Sequence, residues 1–121
     1  VIYLCVPYFH PSLEIQATRV EFARAFAARL VESGAIVICP VIEHASIAHY
    51  LREATAAAQW QTHCRAVMRH ASEVLFVKME GWTQDAFVRD AESFARLLGI
   101  PRRFVDPVMP DQVPLESLQF H

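Results

Sequence analysis

The sequence predicts a small doubly wound α/β domain built on a parallel sheet of four or five strands. Short apolar runs, VIYLCV, AIVIC and EVLFVKM, show little of the polar alternation of a half-exposed strand, as expected for strands covered on both faces. Long segments of helical periodicity stand between and after them, and glycines at Gly34 and Gly99 follow the last periodic residues. With 121 residues, 54% of them apolar and 20% charged, the chain makes one domain, 1–121, with an irregular tail over 107–121.

In order, Val1 to Val6 is the first strand and PYFHPS turns the chain. Ser12 to Ser33 is a helix: Leu13, Val20, Ala23, Ala27, Leu30 and Val31 recur at helical spacing, Ser12 is the N-cap, Glu14 lies in the first turn and Gly34 stops it. Ala35 to Cys39 is a second strand closed by Pro40, completing a βαβ unit with a right-handed crossover. Val41 to Ala58 holds a loop and a short helix whose ends the pattern does not define. Gln59 to Ala71 reads as a helix, Glu73 to Met79 as the third strand, Thr83 to Leu98 as an amphipathic helix, and Arg103 to Val105 as a short fourth strand. Prolines 107, 110 and 114 then exclude long regular structure.

Composition narrows the function classes. The formal net charge of −2 and a single concentrated basic pair, Arg102 and Arg103, argue against nucleic acid as a partner. No apolar run is long enough to span a bilayer, and VIYLCV lacks the basic leader and cleavage site of a signal peptide, so a cytoplasmic protein with no membrane partner is expected. Cys5, Cys39 and Cys64 are odd in number and widely spaced, which suits reduced thiols rather than a disulfide framework.

In a doubly wound sheet, ligands bind beyond the carboxyl ends of the strands, where the strand order reverses. This directs attention to Pro7 to His10, Pro40 to His44, Glu80 to Asp85, and Asp106. The first turn, PYFHPS, has no glycine with which to bring backbone amides onto a phosphate, so neither a nicotinamide nor an ATP site of the usual kind is expected, and no cofactor is implied. Tyr8 and Phe9 can stack on a flat ring or close the mouth of the core, and His10 can hydrogen-bond or shuttle a proton. Glu43, His44 and His49 with His10 could in principle form a metal site, but a His-x4-His pair without a further ligand of known geometry is weak evidence, and no metal is expected. His63 and Cys64 are adjacent on a helix and point about a hundred degrees apart, which favours a buried structural thiol over a nucleophile with its base.

On the helix over 83–98, Asp85, Arg89, Glu92 and Arg96 form one charged stripe and Val88, Ala91, Ala95 and Leu98 an apolar one. Asp90 is expected in solvent. Asp85 alone, in the first turn near a strand end, has the placement of a site residue.

The first strand followed by PYFHP, the second ending in VICPVIEH, then ASEVLFVKMEGW and LGIPRRFVDP together resemble the nucleoside 2-deoxyribosyltransferase superfamily, especially its short bacterial members. The resemblance covers most of Ile2 to Pro107. It implies a flavodoxin-like, Rossmann-like three-layer domain that assembles into homo-oligomers and binds a nucleoside or nucleotide above the strand ends. In active members a helix carboxylate attacks the anomeric carbon and a second acid assists the leaving base. By position Tyr8 matches an aromatic of the first loop, His44 a pocket histidine, and Asp85 an acid near the helix start.

Counted from Gly81 and Trp82, the place of the nucleophilic glutamate falls on Ala91, a space-opening glycine becomes Phe87, and an acid of the preceding helix becomes Cys64. Glu92 stands one residue off. The candidate residues are therefore Asp85 and Glu92 for catalysis, and Tyr8, His10, His44 and Trp82 for ligand contact. An active protein would be an N-glycosidase or deoxyribosyltransferase; the alternatives are a binder that has lost the reaction and a non-catalytic structural or oligomeric α/β protein.

Overall fold

The structure, a computed structural model, describes residues 1–109, and of residues 53–56 the backbone alone. Its elements run β1 (Ile2–Cys5), α1 (Leu13–Glu32), β2 (Val37–Ile38), α2 (Pro40–Ile47), a 3-10 turn (Ala48–Tyr50), α3 (Glu53–Met68), β3 (Glu73–Val77), α4 (Ala86–Leu98) and β4 (Arg102–Val105). The four strands form one sheet in the order β2-β1-β3-β4, every pair parallel. This is the α/β architecture expected, consistent with a flavodoxin-like or Rossmann-like fold.

The lack of alternation in the strands follows from cover on both faces. Ile2, Leu4, Leu75 and Val77 pack with Val20, Ala23, Phe26 and Leu30 of α1 and Val41 of α2. Their neighbours Tyr3, Cys5, Val74 and Phe76 pack on the other face with Met68 of α3 and Val88, Ala91, Phe94 and Ala95 of α4. Three layers result, with β1 and β3 at the centre and both fully buried but for Glu73. Among the described residues no helix is long and apolar enough to cross a membrane.

Ser12 caps α1 as expected, its side chain accepting from the Ile15 N–H at 3.3 Å, and Gly99 ends α4 in the left-handed region at φ 70°. Several boundaries differ. The second strand shrinks to Val37–Ile38, and Pro40 opens α2 rather than closing the strand, because a proline at the first helical turn gives up a donor that has no intrahelical partner. Helix α3 starts at Glu53, before Gln59, where the alanine-rich EATAAA has high helix propensity. Helix α4 starts at Ala86 rather than Thr83, since Asp85 is its N-cap and Glu80 to Gln84 form a turn. The tail is irregular from Asp106 to Met109; its remainder, 110–121, lies outside the described residues.

With β2 and β3 on opposite sides of β1, the strand order reverses between β1 and β3. The loops that leave their carboxyl ends, 6–12 and 78–85, therefore meet at the switch point of the fold.

Candidate functional site

Two buried charges organise those loops. Asp85, 4% exposed, accepts the Tyr8 N–H at 2.7 Å and the Phe9 N–H at 2.8 Å on Oδ2, and the Val88 N–H at 3.1 Å on Oδ1. One carboxylate thus caps α4 and anchors the first loop. Arg19 of α1, 8% exposed, donates to the Phe9 carbonyl and to the Glu80 carbonyl, each at 2.9 Å, so its fork ties both loops to the helix. Gly81 makes room for that guanidinium: a Cβ there would lie 3.2 Å from Arg19 Nη2, and φ is 83°.

Beside the clamp, a cavity of about 590 Å³ lies between α3 and α4 over the sheet. Phe9, His44, Trp60 and Phe87 bring aromatic walls, Tyr3, Cys64, Met68 and Ala91 line it further, and Gln61, Arg65 and Asp90 supply polar groups. The rings are mutually packed. Phe9 stacks on Phe87 with centroids 4.9 Å apart and planes within 10°, and Tyr8, Trp60 and Phe87 surround His44 edge-on at 5.2, 5.0 and 5.9 Å. Burial lowers the pKa of His44, which favours a neutral ring.

Asp90 is held by Arg65, with Nη2 at 2.6 Å and Nε at 3.2 Å, and by Gln61 Nε2 at 2.9 Å. Cys64 is buried, and burial pushes its thiol up to about 11. Such a thiol is protonated at neutral pH and is a weak nucleophile. A second groove of about 660 Å³, between α2 and α3, shares the Trp60 wall and holds a His63 to Glu43 contact of 3.3 Å. Among the described residues no group of three or more His, Cys, Asp or Glu could hold a metal ion.

The sequence profile of a domain of unknown function, DUF1937, matches residues 1–102. The chain belongs to the DUF1937 family. No curated protein matches it. The matched span takes in every residue of the loop clamp and of the cavity wall named above.

The DUF1937 fold places the candidate residues in distinct settings. His44 lines the cavity, and Tyr8 backs it from the first loop. His10 accepts the Ser12 N–H on Nδ1 at 2.9 Å, and its carbonyl accepts from Gln16 at 2.6 Å, pinning the loop to the start of α1. Trp82 packs on Phe104 beside β4, outside the cavity lining. Glu92 pairs with Arg96 at 2.8 Å and Arg102 at 3.0 Å, also outside it. Asp85 has both oxygens committed to backbone donors. Asp90, expected in solvent, instead stands on the cavity wall with its side chain 22% exposed.

Arg19, Trp60 and the Arg65–Asp90 pair are absent from the sequence-based candidates. A signal existed for Arg19, which falls on the stripe of Ala23, Phe26 and Leu30, where a charge is out of place unless it is bonded. Trp60 shares a face of α3 with Cys64 and Met68 in the same way.

Proposed function

We propose that the protein is a nucleoside 2-deoxyribosyltransferase-like binder that holds a nucleoside or nucleotide in the α3–α4 cavity and does not cleave it. The observation that carries the reading is the cavity wall itself. A site within the range of roughly 300–1,000 Å³ typical of small-molecule pockets, aromatic on one side and with a few polar groups on the other, suits a flat base attached to a polar sugar. His44 with Tyr8 behind it, and Phe9 with Phe87, are the ring contacts in this reading; Gln61, Arg65 and Asp90 face the sugar or phosphate.

The absence of cleavage rests on Ala91. It lines the cavity at the position where the resemblance puts the nucleophilic glutamate, and a methyl group cannot attack a sugar. Phe87, one turn earlier, fills space that the resemblance assigns to glycine. Asp85 and Glu92 are the expected substitutes; the first is spent on the loop and the second on surface arginines. One observation favours a second reading in which hydrolysis persists: Asp90 is a carboxylate on the cavity wall, and it would be the acid to carry it.

The reading also has the chain assemble with copies of itself, for which exposed Leu13, Ile36, Tyr50 and Leu97 offer apolar surface. Analytical ultracentrifugation checks that part. For the ligand, the pure protein is incubated with a panel of nucleosides and nucleotides, followed by thermal melting and by chromatography for free base. A saturable rise in Tm without free base is the expected result. No rise with any member overturns the reading, and base release lost in Asp90→Asn replaces it with the second one.

A further inference from the structure

Two buried side-chain polar atoms lack a partner among the described residues, and both belong to rings of the cavity wall: His44 Nδ1 and Trp60 Nε1. They come from different helices, α2 and α3, yet their ring centroids are 5.0 Å apart, with the planes at 64°. A buried donor or acceptor left unpaired costs the fold free energy that only a ligand or a trapped water returns. Phenylalanine at either place would have preserved an aromatic wall without that cost. Two such atoms on neighbouring rings of one cavity point to something that enters it.

We infer that Trp60 and His44 form the edge that reads the ligand's ring, Trp60 Nε1–H donating to a ring acceptor and His44 Nδ1 accepting from an adjacent N–H. The inference rests on the nucleoside-binding reading and deepens it by naming the class of ring: a nucleobase whose edge sets an acceptor beside a donor, such as the carbonyl and N–H of uracil or the ring nitrogen and amino group of adenine. Tryptophan can only donate, and a neutral histidine has one nitrogen free to accept, so the pair is complementary to that edge. Phe87, packed against His44 on the cavity wall, presents ring surface to it, and Tyr8 backs His44 from behind. Neither atom is open to solvent as the side chains stand, so entry requires a covering ring to move. Phe9, 52% exposed, has its backbone fixed by Asp85 and Arg19 while its ring stacks on Phe87 and packs on Tyr8, and it is the cavity-lining ring with most of its surface already in water.

Atom-deletion analogues test the pair on the wild-type protein, with isothermal titration of adenosine against purine riboside, which lacks the amino group, and of uridine against 3-deazauridine, which lacks the ring N–H. In the pair that binds, the parent nucleoside is expected to bind about fivefold to tenfold more tightly than its analogue, the worth of one neutral hydrogen bond. His44→Phe is expected to bring that ratio to about one, and because the ratio compares two ligands on one protein, general loosening of the site leaves it unmoved. Trp60→Phe is expected to weaken parent and analogue alike by a similar factor. Equal affinity for parent and analogue in the wild type overturns the inference and leaves nucleoside binding standing; binding of neither adenosine nor uridine overturns the inference, and the binding reading falls with it when no nucleotide of the panel binds either.

Discussion

Asp85 and Arg19 grip the same residue, the carboxylate accepting the Phe9 N–H at 2.8 Å and the guanidinium donating to the Phe9 carbonyl at 2.9 Å. The loop after β1 is therefore set from both sides of the switch point, by the start of α4 and by the first half of α1. For Asp85→Ala, three backbone donors lose their acceptor in a buried place, and a loss of about 3 kcal/mol in urea unfolding is expected. Asp85→Asn keeps one good acceptor and turns the other into a donor facing an N–H, so it loses less. Loss of any activity in an Asp85 variant accordingly reports loop collapse unless stability is measured beside it.

Arg19→Lys is expected to fail as a conservative change. A single ammonium cannot reproduce a fork that reaches the carbonyls of Phe9 and Glu80 in two loops. A cost of about 2 kcal/mol in urea unfolding is expected for Arg19→Lys, with a similar cost for Arg19→Met. Recovery of wild-type stability by lysine would show that charge alone holds the loops.

Ala91→Leu extends a side chain into the cavity from a position 4% exposed. Nucleoside affinity is expected to fall more than tenfold, read by calorimetry, and Tm is expected to fall as well, because a larger side chain at a buried core position crowds its neighbours. An unchanged affinity would move the binding site elsewhere.

The thiols of Cys5, Cys39 and Cys64 are all buried and all raised by burial, Cys39 and Cys64 to about 11. A thiol reagent at neutral pH is expected to label the native protein slowly and all of these residues promptly once urea unfolds it. Fast native labelling of Cys64 would mean that the cavity opens readily.

His44 has its pKa lowered by burial in the fold. Its neutral form is favoured there, so the unfolded chain binds the proton more readily. The resulting stability is present above the unfolded histidine value near 6.5 and is lost as pH falls below it toward the folded value. Thermal melts from pH 7.5 down to 5 should show Tm falling, and His44→Phe should flatten the part of that slope due to this ring. An unaltered slope would assign the acid sensitivity to other groups.

The element order was legible because the strands are uninterrupted apolar runs and α1 and α4 carry caps and stops that local chemistry defines, Ser12 and Gly99 among them. Segment 41–58 was not, because a proline after a strand looks the same whether it ends that strand or opens a helix, and only the packing of Val41 on α1 decides it. Asp85 was recognised as special, but its partners are the amides of Tyr8 and Phe9, which no local pattern connects to it. Helical spacing set Asp90 apart from the stripe of Asp85 and Glu92. It could not say that the direction of Asp90 meets α3, whose Arg65 and Gln61 turn a solvent position into a wall.

The pairing of the sheet also sets an order of assembly. Strand β1 meets β2, its nearer neighbour in the chain, over two residue pairs, but meets β3 over four, Ile2 opposite Glu73 through Cys5 opposite Phe76. Most of the central ladder therefore waits until α1, α2 and α3 have been spanned, a long closure whose entropy must be lost before the contacts reward it. Until then VIYLCV has only its short pairing with β2, and its other edge is open. A folding chain is most vulnerable to sticking to its neighbours through that segment, and whatever shortens the search between β1 and β3 protects it.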